Sequence, residues 1–159
     1  MTERVSVVID SSVFVGLLNP LDHRRKQAVN LLQTLQRGQF YLFYLDCVIA
    51  ESLTTVLRRL SEQQRSQEIQ PTFERLEQVI PLSQVNWILP EVPRLYSEIL
   101  TLMQTSNGTL NFNDALIALA CREHNVPAIA SFDTDFDQIP WLRRLGQAGD
   151  VTSVMPANQ

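Results

Sequence analysis

The stretch Leu110–Pro140, LNFNDALIALACREHNVPAIASFDTDFDQIP, decides how the rest of the chain is read. It opens with Asn111 and Asn113, residues that favour helix N-termini, and Asp114 falls in the first turn of the helix they announce. Ala115 to Cys121 is then apolar without a break, and a helix apolar all round is one buried on every side. Asn125-Val126-Pro127 ends it. Ala128 to Ser131 is a short apolar run of the kind that forms an interior parallel strand. Asp133 and Asp135 follow at once, flanked by Phe132 and Phe136. Ligands of parallel sheets bind beyond the carboxyl ends of the strands, which places Asp133 on that rim.

Working outward, Val5 to Ile9 is β-branched but for Ser6, the mark of a strand buried on both faces, and it runs into Asp10-Ser11-Ser12. A helix through Val13, Phe14, Leu17 and Leu18 follows, closed by Asn19-Pro20. Ala28, Leu31, Leu32 and Leu35 predict a second helix over 22–37, stopped by Gly38. Phe40 to Leu45 reads as a strand. Asp46 is placed to cap a long helix with Ile49, Leu53, Val56, Leu57 and Leu60 on its apolar stripe. Glu51 then falls on the opposite face, near Thr55 and Arg58. Another helix, started by Pro71, is expected between Ser61 and Gln84, then a strand over 85–89 and a helix over 91–105. Downstream of Pro140, Trp141, Leu142 and Leu145 suggest a short helix and Val151 to Val154 a last strand. Strands alternating with helices define a three-layer α/β/α fold with a mainly parallel central sheet. One domain over 1–155 with a short tail, 156–159, is the expected organisation.

Length and composition exclude several classes. A chain of 159 residues with 45% hydrophobic residues can bury a substantial core. It has no apolar stretch long enough to span a bilayer and no recognisable signal-peptide pattern, so a cytoplasmic protein is expected. Cys47 and Cys121 both lie in predicted helices among apolar neighbours and read as buried free thiols. The formal net charge of −4 argues against a general nucleic-acid coat protein, though not against an enzyme acting on nucleic acid.

The chemistry is that of carboxylates. Asp10 ends a strand, Glu51 rides a helix, Asp114 opens a buried helix and Asp133 follows a strand. Each has an ordinary reading alone: Asp10 as a helix cap, Asp114 as a partner of the helix dipole, Glu51 as a solvated residue, Asp135 as a turn residue. Asp10 and Asp133, however, belong to one edge of one sheet. Close carboxylates repel by ~4 kcal/mol per pair at an effective dielectric of 20, so converging ones call for a cation, and an all-oxygen set suits Mg²⁺ or Mn²⁺. His23 and His124 have no partner at zinc-ligand spacing, the glycines form no phosphate loop, and Ser11 and Ser12 lack a nucleophile-elbow context. The basic groups Arg24-Arg25-Lys26, Arg58-Arg59 and Arg143-Arg144 each read first as solvated faces.

Four ordered blocks carry a family resemblance: VVIDSSVFVGLL, LDCVIAESLTTVLRR, LNFNDALIALACREHNVPAIAS and SFDTDFDQIPWL. Together they resemble the PIN-domain family, in particular small prokaryotic toxin ribonucleases of the VapC type. The resemblance spans nearly the whole chain and is weakest over 61–89. It implies a Mg²⁺- or Mn²⁺-dependent endoribonuclease with Asp10, Glu51, Asp114 and Asp133 as its acids. Asp10, Asp114 and Asp133 are expected to bind metal, Glu51 to complete the cluster or orient water, and Asp135 to be an auxiliary acid. Ser12 and Ser131 are expected on the scissile phosphate, with Arg24, Arg25 and Arg58 positioning other phosphates. An antitoxin partner and a homodimer, with Tyr44, Trp87 or Trp141 at the interface, are further expectations. A PIN-like scaffold without turnover, a metal-dependent phosphatase and a non-catalytic RNA-binding protein remain alternatives at this level.

Overall fold

The five strands pair in a computed structural model that describes residues 4–155. They are β1 (Ser6–Ile9), β2 (Tyr41–Leu45), β3 (Val85–Asn86), β4 (Ala128–Ala130) and β5 (Arg143–Leu145), in the order β3-β2-β1-β4-β5 and parallel throughout. The connecting helices are α1 (Ser11–Leu18), α2 (Arg25–Arg37), α3 (Asp46–Glu62), α4 (Ile69–Val79), α5 (Val92–Thr105) and α6 (Phe112–Glu123). α1 packs on α2 and α3, while α5 packs on α6, and the sheet lies between these helical layers as the expected α/β/α fold requires. Among the described residues no helix is long and apolar enough to cross a membrane. The expected tail, 156–159, lies outside the described residues.

The topology places the site. From β1 the chain steps outward to β2 and β3, then returns through α5 and α6 to β4 on the other side of β1. Strand order therefore reverses between β1 and β4, where crevices open at the carboxyl ends of parallel strands. Ile9 stands opposite Ala130, and the Asp10 amide donates to the Ala130 carbonyl at 3.0 Å, so Asp10 and Ser131 leave the sheet side by side. Val7, Val8 and Ile9 are buried, as is every residue of α6 from Asp114 to Cys121, which fixes that edge in the core. Both cysteines are free and buried.

Several elements differ from the sequence reading. The segment after Trp141 is strand β5 rather than a helix: after β4 a 3₁₀ turn over Thr134–Gln138 returns the chain directly to the sheet edge, where Arg143 pairs with Ala128 and Leu145 with Ala130. Val151 to Val154 is not a strand but part of a 3₁₀ segment, Ala148–Val154, whose start is tied by the Asp150 carboxylate to the amides of Gly146 and Gln147. α2 begins at Arg25 instead of Asp22, because the Asp22 carboxylate takes the Arg24 amide in a local turn. α4 begins at Ile69, with Pro71 inside its first turn, where the missing amide costs nothing.

The strand expected over 85–89 stops at Asn86 for a reason that lies in Asp46. This residue is the first of α3 rather than its cap, and its carboxylate is nearly buried. It accepts the amides of Cys47 (2.9 Å), Ile88 (3.1 Å) and Leu89 (3.0 Å), bending the chain into a 3₁₀ turn over Leu89–Glu91. One side chain thus joins the start of α3 to the end of β3. Leaving such amides buried and unpaired costs ~1–3 kcal/mol each. Asp46→Ala should therefore lose about 3 kcal/mol or more, roughly 6–12 °C in melting temperature for a chain of this size. Asp46→Asn, which keeps part of the acceptor capacity, should fall between; thermal melts of the three proteins give the order.

Candidate active site

At the reversal point Asp10 is 3% exposed, and its two oxygens live in different environments. Oδ2 accepts the hydroxyls of Ser131 (2.7 Å) and Ser12 (2.8 Å). Oδ1 is buried and has no hydrogen-bond partner among the described residues. Although Asp10 stands at the N-cap of α1, its side chain makes no capping bond, so the ordinary reading as a cap does not hold. Burial raises its pKa above the usual carboxylate range, and the Ser131 and Ser12 hydroxyls, with the nearby backbone amides of Ser11 and Ser12, pull it only part of the way back.

Three more acids face it. Glu51, in the second turn of α3, is half-buried, and its Oε2 is likewise buried without a partner. Burial first, then the charge of Asp10, raises its pKa; Ser11 and Asn113 oppose the shift, and Asp133 adds to it. Asp114 sits in the first turn of α6 within a reciprocal cap: its amide donates to Asn111 Oδ1 while its own Oδ2 accepts the Asn111 amide, both at 2.9 Å. The helix-start reading of Asp114 is thus correct, and it also belongs to the cluster. Burial pushes its pKa up to about 7 against the pull of the Asn111 amide, with the charges of Asp10, Asp133 and Glu51 adding to the rise. Asp133 follows β4, donates its amide to Ser131 Oγ at 3.0 Å and accepts the Asp135 amide on Oδ1 at 2.9 Å. Asp135 lies beyond it in the 3₁₀ turn over Thr134–Gln138.

The four expected acids therefore meet at one edge, where the charges of Asp10 and Asp133 bear on both Glu51 and Asp114. Among the described residues no three of them already stand at ligand distance around a common point. The cluster is open, as mutual repulsion demands. Two buried, unpartnered carboxylate oxygens beside further acids nevertheless fit a hard divalent cation, which prefers oxygen donors.

The expected phosphate ligands fare differently. Ser12 and Ser131 each give their proton to Asp10, and their oxygens accept the amides of Phe132 (2.9 Å) and Asp133 (3.0 Å). Their bonds hold Asp10 and the loop that follows β4. Arg25 does not reach the site: it donates to the carbonyls of Leu17 and Gly16 at the end of α1. Arg58 is exposed beside Glu62. Arg24 does reach the rim, with its guanidinium 5.1 Å from the centre of the Phe132 ring. Ser11 and Asn113, both beside Glu51, were legible only as a hydroxyl neighbour and a helix-start residue. Of the aromatics expected at an interface, Tyr44 is buried and Trp141 donates its indole N–H to Ala118, whereas Trp87 is 63% exposed.

The family follows from comparison with known proteins. The PIN-domain family model matches residues 7–142, and the chain belongs to this family. Solved structures of similar fold include Mycobacterium tuberculosis VapC20, a toxin that cleaves the sarcin-ricin loop (TM-score 0.63, 17% identity, covering 85% of this chain and 95% of that one). A chain of Rickettsia felis VapBC2 bound to a promoter DNA fragment matches with TM-score 0.63 and 18% identity, covering 89% and 98%. A chain of Neisseria gonorrhoeae FitAcB matches at 0.64 and 19%, covering 88% and 96%. Among curated proteins none matches the chain in sequence.

The raised acids have a consequence for stability without metal. The folded pKa of Asp114, about 7, lies above the ordinary 3.8, so the native state binds the extra proton between those values. Stability therefore falls as pH rises through that window. In EDTA, wild type should lose melting temperature steadily from about pH 4 to pH 7. Asp114→Asn, which can still accept the Asn111 amide, should match wild type near pH 4 and melt several degrees higher at pH 8. Parallel curves for the two proteins across the whole range would remove Asp114 from the cluster.

Proposed function

We propose that this protein is a Mg²⁺- or Mn²⁺-dependent endoribonuclease, the toxin of a toxin–antitoxin pair. The observation that carries the proposal is the pair of buried carboxylate oxygens without partners, Asp10 Oδ1 and Glu51 Oε2, in a four-acid cluster at the strand-order reversal. Membership of the PIN-domain family and the fold shared with VapC20 support the same reading.

Asp10, Asp114 and Asp133 would hold the cation, with Glu51 completing the set. When bound, such a cation supplies charge neutralisation at the phosphate and a water of lowered pKa. The chain's own work is to aim the acids. Two hydroxyls hold Asp10 Oδ2 and leave Oδ1 directed elsewhere, and the capping bond fixes the Asp114 rotamer at the helix start. Glu51 is held high in pKa by burial and neighbouring charge, which suits a group that orients water or takes up its proton. Ser12 and Ser131 are positioning residues, acting through Asp10.

An antitoxin partner is proposed on the same ground, since the similar folds include chains of VapBC2 and FitAcB. A basic side chain from such a partner would satisfy the unpaired carboxylate oxygens in the place of a cation.

Two experiments test the reading. With Mn²⁺, single-stranded RNA should be cut, and excess EDTA, Asp10→Asn or Asp114→Asn should each reduce cutting at least a hundredfold while circular dichroism stays native. Full activity in EDTA or in either variant defeats the assignment. The second compares neighbours. Asp133→Asn should cost far more activity than Asp135→Asn, because Asp133 directly follows the end of β4 and its charge bears on Glu51 and Asp114, whereas Asp135 lies further into the turn. Equal losses, or the reverse order, would move the fourth acid one turn further along the chain.

A further inference from the structure

A separate cavity of about 200 Å³ opens beside the acid cluster, between the start of α1, the turn before α2 and the middle of α3. Ser11, Ser12, Asp22, Arg24, Thr55 and Arg59 line it, with His23 at its edge. It shares a wall with the acids, because Ser12 is also one of the two serines that donate to Asp10. Its volume is below the ~300–1,000 Å³ of pockets that enclose drug-sized ligands, and it suits a group of anion size.

The charges in this cavity are built, not scattered. The Asp22 side chain is only 5% exposed; Oδ2 accepts Arg59 Nη1 at 2.9 Å and Oδ1 accepts the Arg24 amide at 2.8 Å. One buried carboxylate thus holds the Arg59 guanidinium and the Arg24 backbone. Arg59 uses a single N–H on Asp22, and its other donors have no partner among the described residues. The Arg24 guanidinium has no carboxylate partner among them and is held by the face of Phe132. Two arginines against one aspartate leave a net charge of one positive, which matches the single negative charge of a phosphodiester. Arginine's planar fork is the side chain best suited to phosphate oxygens.

We propose that this cavity seats a phosphodiester of the RNA strand adjacent to the one presented to the acid cluster, with Arg24 and Arg59 as its ligands. The proposal rests on the ribonuclease reading. It gives α3 two tasks on one row: Glu51, Thr55 and Arg59 stand four residues apart and so share a face, acid toward the cluster and base toward the cavity. The strand would cross from the ends of β1 and β4 over the start of α1 toward α3, and base identity would not enter at this seat.

The test is binding in excess EDTA, where cleavage plays no part. The full chain is titrated against a fluorescent single-stranded RNA of about ten nucleotides, by anisotropy, at about 50 to 200 mM salt. Arg24→Gln and Arg59→Gln should each weaken binding roughly tenfold at low salt and lower the salt slope by about 0.7, one phosphate contact on a single strand. Arg58→Gln, one position along the same helix, should change affinity less than twofold. Arg24→Gln breaks no side-chain hydrogen bond of the fold, so its result stands even if Arg59→Gln perturbs Asp22. Wild-type affinity and slope in Arg24→Gln, a loss in Arg58→Gln as large as in the other two, or no RNA binding by wild type would each overturn the proposal. A protein that binds with this pattern yet cuts no RNA with Mn²⁺ keeps the seat and loses the ribonuclease reading. One that cuts and is indifferent to both arginines does the opposite.

Discussion

The hydrogen bonds on one oxygen of Asp10 hold this site and much of the edge around it. A buried carboxylate is costly unless bonded, and Oδ2 meets that cost with two hydroxyls from segments 119 residues apart in sequence, Ser12 and Ser131. Each hydroxyl oxygen then accepts an amide of the chain after β4, Phe132 to Ser12 and Asp133 to Ser131. The start of α1, the end of β1 and the loop that carries Asp133 are therefore stitched through one acid. Fold and site share the same bonds. The other oxygen is left buried and unpaired, as is one oxygen of Glu51 across the cluster.

The parts legible in the sequence are those whose pattern is local and continuous. The runs of β1, α6 and β4 are apolar without interruption because both of their faces, or all sides, are covered, and they fixed the position of Asp10, Asp114 and Asp133 at strand and helix ends. The short edges were not legible. Arg143-Arg144-Leu145 has no strand signature; it becomes β5 because a brief 3₁₀ turn leaves it beside β4, with Arg144 held by Asp137 and by the Ser131 carbonyl. The 85–89 run looked like a strand throughout, since nothing local announces that Asp46, some forty residues earlier, captures two of its amides. Residue type says that Ser12 and Ser131 will hydrogen-bond, not to what.

Helix faces show the same limit more sharply. The buried row of α3 is Val48, Ser52, Val56 and Leu60, with Ile49, Leu53 and Leu57 only half-buried beside it. The apolar residues alone pointed to a stripe turned slightly from this row, because they cannot show that a serine is buried in its midst. A small rotation of this kind decides which charges face the site. At ~100° per residue, Arg58 and Arg59 point to different surroundings, one to solvent and Glu62, the other to Asp22. The basic pair was visible in sequence; its working member was not.

That same row explains why the acid cluster is not quenched from within. Glu51 and Arg59 are eight residues apart, roughly 12 Å along the helix. Their attraction is about 1.4 kcal/mol at an effective dielectric of 20 and less where water enters, against about 4 kcal/mol of repulsion for two carboxylates 4 Å apart. A Debye length of about 8 Å at physiological salt weakens the longer interaction further. Asp22, bonded directly to Arg59, is a far nearer carboxylate to that guanidinium than Glu51 is. Burial remains the leading cause that raises Asp10, Glu51 and Asp114, and what opposes it is hydrogen bonding from serines, Asn113 and the Asn111 backbone. Charges of both signs thus stand two helical turns apart along one face of α3, an arrangement that a divalent cation and a phosphodiester strand would complete together.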